Sequence, residues 1–405
     1  MAFFKRKTRH FSIALLGAVL FNPGNVALAD GQQSSGLLVG SKNDPYWFQM
    51  NGAMRFDQCA FIGSPTSRGH EVKNGANFRL LKLSIVSGLG DQTSCAMNFT
   101  HNVSASTVDV DAANITYAYD SKTLFTVGQV NAAFSIENSA NANWLPFLEK
   151  SMSTTAISPA GGLGFYINKW QDNYSLCASV VQPKQKGSPK RNDHWHMSSR
   201  LSYVPFRTET QLIQVGISSH LQDDSKNPIV FKALPDITGK HVTEVLGSGP
   251  VVAKNHKTLS LDLSGQVGSI CGETEYKLVH VNRALCSPVQ FEGFHIQASY
   301  ILTGESRVFN PSNGTFAQVK NLKNKSAYEV AARYSMVSLN SKDVEGGRAY
   351  SFTTGLNYYV NNNIRLSGEY VYSIQRSSYA RMEPVIANTN LRKLNIFALR
   401  LQGTF

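Results

Sequence analysis

The chain has 405 residues, of which 42% are hydrophobic and 16% charged, and its 39 Lys and Arg outnumber 27 Asp and Glu to give a net charge of +12. This composition excludes an intrinsically disordered polymer, and the length excludes a small disulfide-stapled scaffold. A mean hydropathy of -0.20 fits a water-soluble protein. It fits a transmembrane β-barrel equally well, because lipid-facing and water-facing residues alternate there and cancel.

Residues 1–29 are typical of a secretory signal peptide. Four cations between Lys5 and Arg9 precede a short apolar stretch, and small residues precede a cleavage site at Asp30. The apolar stretch is shorter than the ~20 residues that a membrane-spanning helix needs. We therefore predict an exported barrel domain over residues 30–405. Its surplus of positive charge favours anions or an anionic membrane surface, and export argues against nucleic acid as a partner.

Period-2 alternation of apolar and polar residues dominates the chain after the signal and is clearest in the last third. Tyr328, Val330 and Tyr334 share one face of such a segment, while Glu329 and Arg333 share the other. The longest uninterrupted apolar run after the signal has four residues. The pattern therefore predicts strands with one apolar and one wet face, and no helical membrane span.

Sixteen segments carry this alternation over about ten residues, the length that a tilted strand needs to cross a bilayer. They lie at 46–58, 77–88, 92–103, 108–119, 123–131, 162–169, 173–181, 194–205, 209–220, 257–267, 270–281, 290–302, 326–337, 348–360, 363–374 and 394–405. An even number lets an antiparallel sheet close without an unpaired edge in lipid. The predicted fold class is thus all-β, a 16-stranded antiparallel transmembrane β-barrel, which is wide enough to hold water.

A water-soluble β-sandwich would show the same alternation, and three further features favour the barrel. Tyr and Phe concentrate near strand ends, as in the aromatic girdles of membrane proteins. Connections such as Gly90-Asp91 are short on one side of the sheet, while those on the other side are longer, for example at 338–347. The chain ends on an aromatic residue, Phe405, in phase with the apolar face of the last strand.

Two of the predicted connections are unusually long. The connection over 132–161 is the third on the external side and contains no predicted strand, so we expect it to fold inward and to set the narrowest point of the lumen. The connection over 303–325 falls at the periplasmic mouth and carries Arg307, Lys320 and Lys323 against a single acidic residue. It predicts a basic vestibule, although an ordinary solvated loop has a similar composition.

Several segments carry a resemblance to a known family: Ile301–Arg307, Tyr328–Ser335, Gly355–Tyr359 and Ala398–Gln402, with Val127–Gln129 and Phe134–Glu137 upstream. In these segments the sequence resembles the phosphate-selective porins O and P, and the resemblance covers nearly the whole chain after the signal peptide, weakly over 221–256. The resemblance implies a trimeric outer-membrane channel of sixteen strands that passes anions. It also implies arginines and lysines along the constriction and vestibules.

The sequence departs from the family pattern at several positions. Asn131 stands where a basic residue commonly follows Val-Gly-Gln, and Ala133 replaces a proline. Gly161 stands where an arginine usually precedes the sixth strand, and the arginine-rich start of the second strand survives only as Arg79 and Lys82. These departures bear on phosphate specificity more than on the fold.

A permeating anion needs fixed cations or N–H donors that replace part of its hydration shell without holding it, and arginine suits this role. The alternation directs Arg333, Arg365 and Arg400 into the lumen, where a lumen carboxylate would alternatively neutralise them. Arg79 and Lys82 fall on opposite faces of a regular strand, so one of them needs a bulge or a mouth position. The predicted pore and anion-binding residues are Arg79, Lys82, Lys150, Arg307, Lys320, Lys323, Arg333, Arg365 and Arg400.

No enzyme, metal site or cofactor is predicted. The histidines form no recognisable motif with a Ser and an acid, the five cysteines lack CxxC spacing, and Gly161–Gly164 is typical of a turn. We predict a homotrimeric channel for small inorganic anions, with phosphate among the candidate solutes, in the outer membrane of a Gram-negative bacterium. Its partners are outer-membrane lipid and lipopolysaccharide, which the Lys184–Arg191 cluster favours. A weakly selective general porin and a barrel that acts as an adhesin or antigen remain the alternatives.

Overall fold

The computed structural model of the chain describes residues 36–42, 44–63, 74–102, 107–183, 194–225, 228–237, 245–320, 326–376 and 391–405. The elements within them are β1 (Leu37–Val39), β2 (Tyr46–Gly63), β3 (Gly75–Leu89), β4 (Thr93–Asn102), β5 (Thr107–Asp120), β6 (Thr123–Val130), α1 (Ile136–Ser139), α2 (Met152–Ile157), β7 (Gly162–Trp170), β8 (Tyr174–Pro183), β9 (His196–Arg207), β10 (Gln211–Asp223), β11 (Lys232–Ala233), β12 (Leu246–Gly247), β13 (Ala253–Val267), β14 (Ile270–Arg283), β15 (Val289–Ile301), β16 (Ser306–Asn310), β17 (Thr315–Lys320), β18 (Ala327–Ser341), β19 (Val344–Tyr359), β20 (Ile364–Arg376) and β21 (Leu391–Thr404). The predicted signal peptide, Lys323 and the Lys184–Arg191 cluster lie outside the described residues.

Sixteen of these strands form one closed antiparallel sheet. Its neighbours follow chain order from β2 to β10, continue through β13, β14, β15, β18, β19 and β20, and end at β21. The sheet closes where β21 pairs with β2, from Ala53 opposite Thr404 to Gly63 opposite Leu394. The prediction of a 16-stranded antiparallel barrel is confirmed, and each predicted strand falls on an observed one with ends that differ by a few residues.

Both ends of the described chain lie along the same edge of β2. The short strand β1 pairs with Phe48–Met50 of β2, beyond the point where β21 stops. Between them, Gly52 and Phe405 exchange two backbone hydrogen bonds of 2.9 and 3.0 Å. This arrangement leaves β2 with a partner along most of that edge, so its backbone groups are satisfied within the sheet.

The two faces of the sheet differ as the alternation predicts. On β18 the side chains of Tyr328 and Val330 are 44% and 38% exposed, whereas those of Glu329 and Arg333 are 0% and 1% exposed. In a closed barrel the buried face points inward, so the polar side chains line the interior and the apolar ones face outward. None of the described helices is long and apolar enough to span a membrane.

The interior is not polar throughout, which the predicted alternation misses. Inward-facing residues of β14, β15 and β18 near one end of the barrel are apolar: Val279, Val281, Val289, Phe291, Val337 and Leu339. Met152 and Ile157 of α2 pack on them, together with Phe231 and Leu246 from the long connection over 224–252. The wall is apolar at this end because connections fold over it and need a surface against which to bury their own apolar side chains.

Two predicted connections contain more strand structure than the alternation indicates. Within the long connection predicted over 303–325, β16 and β17 pair as an antiparallel hairpin. The connection predicted over 338–347 is a two-residue turn at Lys342 and Asp343, with Lys342 at φ 54°. At 338–347 polar residues paired into strands extend the barrel sheet further than hydrophobic alternation alone indicates, whereas β16 and β17 form a separate two-stranded sheet.

Candidate functional site

The third connection, residues 131–161, lies against the polar inner face of the barrel and is organised around one buried carboxylate. Ser135 and Ser151 cap α1 and α2 through their side-chain oxygens. Glu137 of α1 accepts hydrogen bonds from the backbone N–H and the hydroxyl of Ser151, the latter at 2.6 Å. Burial alone would raise the pKa of Glu137, but the cations His295 and Arg333, with these hydrogen bonds, lower it to about 2. The carboxylate therefore stays charged and ties the two helices together.

Four arginines bind the third connection through its backbone carbonyls. Arg307 donates to the carbonyl of Trp144 at 2.6 Å, Arg365 to that of Leu145 at 2.8 Å, Arg400 to that of Leu148 at 2.5 Å and Arg333 to that of Glu149 at 3.0 Å. The donors lie on β16, β20, β21 and β18. Buried carbonyls need donors, and these side chains satisfy four of them within six residues of chain.

Most of these guanidinium groups are also neutralised by carboxylates. Arg307 meets Glu329 at 2.5 Å, Arg333 meets Asp236 at 3.2 Å, and Arg400 meets Asp57 at 2.7 Å. A fourth buried arginine of the wall, Arg200, pairs with Asp262. The sequence left open whether lumen arginines face solutes or carboxylates, and for these side chains the carboxylate partner is present.

Arg365 and its neighbours differ from this pattern. Its Nη2 donates to Gln402 Oε1 at 3.3 Å, and no carboxylate of the described residues lies within salt-bridge distance of it. Glu369, expected as a counter-charge for a lumen arginine, accepts the backbone N–H of Leu148 at 2.5 Å instead. Both side chains therefore hold the third connection in place.

Asp236 joins four segments of the interior. Besides Arg333, its carboxylate accepts the N–H of Met152 at 2.7 Å and the hydroxyls of Ser351 and Thr353 at 2.6 and 3.0 Å. Asp236 belongs to the connection over 224–252, so one side chain links that connection to the third connection and to β18 and β19. No sequence pattern indicates this role, because Asp236 lies in a region without alternation.

A β-bulge resolves the conflict between Arg79 and Lys82. In the pairing of β2 with β3, Arg55 lies opposite Leu80 while the next residue, Phe56, lies opposite Phe78, so Arg79 is the extra residue. Arg79 then reaches Glu149 of the third connection at 3.3 Å, and Lys82 points into an interior cavity. The expected bulge is present, and it brings both cations to the same side of the strand.

The interior keeps an open cavity of about 770 Å³ beside the third connection. Three cations line it: Lys82 of β3, Lys150 of the third connection, and Arg55 of β2. Lys150 donates to the carbonyl and side-chain oxygens of Asn138 at 3.2 and 3.1 Å, and burial lowers the pKa of its ammonium. Arg55 was not among the predicted residues, although its alternation with Ala53 and Asp57 in the first strand carries the signal.

The remaining predicted residues have simple positions. Lys320 ends β17 opposite Ser306, and its side chain is not among those described. Arg307 lies within the hairpin rather than in an open vestibule, and Lys323 lies outside the described residues. For all nine predicted residues, a direct role in anion binding stays a prediction.

Three buried histidines form a row across adjacent strands elsewhere on the wall. The rings of His196 and His220 lie 4.9 Å apart, and those of His220 and His256 lie 5.2 Å apart. Asp224 contacts His256 Nδ1 at 2.7 Å. Among the residues that the structure describes, no three His, Cys, Asp or Glu side chains are placed to hold a metal ion.

A closed barrel of sixteen antiparallel strands with a charged interior is typical of the porin class of channel. The chain matches the family model described as "Phosphate-selective porin O and P" over residues 48–405, and it therefore belongs to that family. It is 20% identical to Porin O of Pseudomonas aeruginosa over 97% of this chain and 95% of that protein.

Solved structures with the same fold are much more distant in sequence. OmpT, an outer membrane protein of Vibrio cholerae, superposes with a TM-score of 0.57 at 9% identity, covering 89% of this chain and 98% of that one. The anion-selective porin from Comamonas acidovorans gives a TM-score of 0.55 at 9% identity, covering 89% and 100%. These likenesses establish the barrel architecture.

Proposed function

We propose that the protein is an outer-membrane channel of a Gram-negative bacterium through which small anions diffuse passively, phosphate being compatible with it. The observation that carries the proposal is the cavity beside the third connection, whose lining holds three cations and one acid, Asp111. A positive surplus along a water-filled path raises the local concentration of anions and excludes cations. Family membership supports the same function.

The third connection forms the constriction of this channel. Its backbone carbonyls accept hydrogen bonds from Arg307, Arg333, Arg365 and Arg400. These guanidinium groups are therefore largely unavailable to a solute. Selectivity then rests on the cations that line the cavity, whereas Arg79 pairs with Glu149 of the third connection and is not part of that lining. The interior cations thus have two roles: the arginines hold the third connection in place, and the cations that line the cavity attract solute.

Export and assembly complete the proposal. Residues 1–29 act as a cleaved signal peptide, and residues 30–405 form the barrel domain. The apolar outer face contacts outer-membrane lipid and lipopolysaccharide, and the protein assembles as a homotrimer. A trimer form of the similarly folded OmpT of Vibrio cholerae supports this assembly.

Ion selectivity in planar lipid bilayers tests the function directly. The mature chain is reconstituted between KCl solutions of unequal concentration, and the reversal potential is measured. We expect a potential of the sign set by chloride. A potential of the opposite sign would contradict anion selection, a potential near zero would favour a general porin, and the absence of any conductance would favour an adhesin.

A further inference from the structure

The cavity beside the third connection is much larger than a bare inorganic anion. Its volume is about 770 Å³, which lies in the range of about 300–1,000 Å³ found for pockets that bind organic ligands. A phosphate ion displaces about as much volume as two or three water molecules of about 30 Å³ each. Most of the cavity would therefore remain water if phosphate were the solute that it fits.

Three interior cations that line this cavity lack an ion-pair partner among the described residues. Arg55 and Lys82 are diagonal neighbours on the inner face, because Lys82 lies opposite Ala53, two residues before Arg55. Arg55 donates to Asn143 Oδ1 at 2.7 Å, while its buried Nε has no hydrogen-bond partner. No described carboxylate lies within salt-bridge distance of Arg55, Lys82 or Lys150, in contrast to Arg200, Arg307, Arg333 and Arg400.

Apart from the one acid, Asp111, the rest of the lining is neutral, and much of it can form hydrogen bonds. Eight asparagines contribute to it: Asn51, Asn131, Asn138, Asn141, Asn143, Asn361, Asn362 and Asn363. The indole of Trp144 also lines the cavity, and its Nε1–H is buried without a partner. An amide both donates and accepts hydrogen bonds, as a hydroxyl group requires, whereas hydrogen phosphate is mainly an acceptor, with one O–H group among its four oxygens. The amides therefore match a solute that carries hydroxyl groups as well as a charge.

We propose that this cavity is a binding station for hydroxylated organic anions, in which a phosphate or carboxylate head meets Arg55 and Lys82 and a polyhydroxyl body meets the amides and Trp144. Sugar phosphates and polyhydroxy acids share this chemistry. The inference rests on the proposed function, because it assigns a solute class to the same pore. It goes beyond the proposed function because the cavity is expected to bind a hydroxylated organic anion more tightly than bare phosphate.

Block of the chloride current in planar bilayers tests the ranking with the full mature chain. Glucose 6-phosphate, gluconate, inorganic phosphate and glucose are titrated separately. We expect half-block by glucose 6-phosphate at a concentration at least tenfold lower than by phosphate, gluconate between the two, and no block by equimolar glucose. Equal or stronger block by phosphate overturns the inference while the chloride selectivity, measured first, leaves the anion channel standing. A cation-selective reversal potential overturns both.

Variants separate the head from the body of the solute. Arg55→Gln should weaken block by glucose 6-phosphate and by phosphate alike, at least fivefold. Trp144→Phe keeps the aromatic ring but removes the indole N–H. This variant and Asn131→Ala should each reduce, at least threefold, the ratio of the half-block concentration of phosphate to that of glucose 6-phosphate. Block by phosphate itself should not change. Lys122→Gln, at an exposed turn where Lys122 pairs with Asp172 at 2.9 Å, is the matched control and should leave the ratio unchanged. A ratio unaffected by the Trp144 and Asn131 variants contradicts the role of the neutral lining.

Discussion

Arg400 and Asp57 face each other across the seam that closes the barrel, as register partners on the last and first long strands. The guanidinium binds both carboxylate oxygens at 2.7 Å, and it also reaches Glu149 at 2.8 Å. One side chain thus joins the two ends of the sheet to the third connection. Such a buried pair is costly to break from one side, because the remaining charge stays buried without compensation.

Removal of Arg400 should destabilise the barrel more than removal of Asp57. Arg400→Gln leaves Asp57 and Glu149 without their shared cation, whereas Asp57→Asn leaves Arg400 paired with Glu149. We expect a loss of about 3–5 kcal/mol for Arg400→Gln and a smaller loss for Asp57→Asn. Denaturant unfolding in detergent, followed by circular dichroism, measures both. Equal losses would contradict the role of Glu149 as a second partner.

Asp236 should keep the single-channel current steady. Asp236→Asn removes the charge that binds Arg333 and weakens four hydrogen bonds from the third connection, β18 and β19. We expect larger current noise and frequent conductance steps in single-channel recordings, because two connections lose a shared anchor. Asp343→Asn, which breaks an exposed pair with Arg283, is the control and should leave the recordings unchanged. Quiet recordings from the Asp236 variant would exclude the anchoring role.

The tip of the β16–β17 hairpin should tolerate only glycine at residue 314. Gly314 has φ +60°, and a Cβ there would overlap Ser202 Oγ and lie 2.8 Å from Gln214 Oε1. Gly314→Val should therefore displace the hairpin from β9 and β10 and raise single-channel conductance. Gly268→Val is the control. Gly268 also has a positive φ, but no atom lies within 4 Å of its Cβ, so this variant introduces backbone strain without a steric clash. Conductance that rises equally in both variants would show that contact with the wall is unimportant.

The third connection should remain docked under mildly acidic conditions. Burial opposes charge on Glu149, but Arg400, Arg79 and Arg55 lower its pKa from 4.5 to about 2. Because the pKa of Glu149 is lower in the folded than in the unfolded chain, its charged carboxylate stabilises the folded state at pH values above the unfolded pKa. This contribution, about 3 kcal/mol in total, is lost as the pH falls toward 2. Channel conductance should stay constant from pH 7 to 5 with respect to this group, and change between about 4.5 and 2. Glu149→Gln should abolish that acid transition, and its persistence in the variant would assign it to other groups.

The barrel architecture follows from the amino-acid sequence alone. Alternation has a period of two in every long strand, and one register buries a consistent face, so segments such as 327–336 indicate both the strand and the direction of Arg333. The same reasoning required a bulge or a mouth position for Arg79 or Lys82, because two cations of odd spacing cannot share a face of a regular strand, and the structure has a bulge at Arg79. These are local properties, carried by neighbouring residues.

Which charged side chains remain available to a solute depends on the folded structure. Arg333 and Lys82 look alike in the sequence, yet Arg333 is bound by Asp236, 97 residues away, while Lys82 lines the open cavity. The partners of buried charges come from connections that lack periodicity, and their positions depend on packing against an apolar inner wall. Pairing across such distances is a property of the folded chain, because Coulomb and hydrogen-bond energies depend on separation in space.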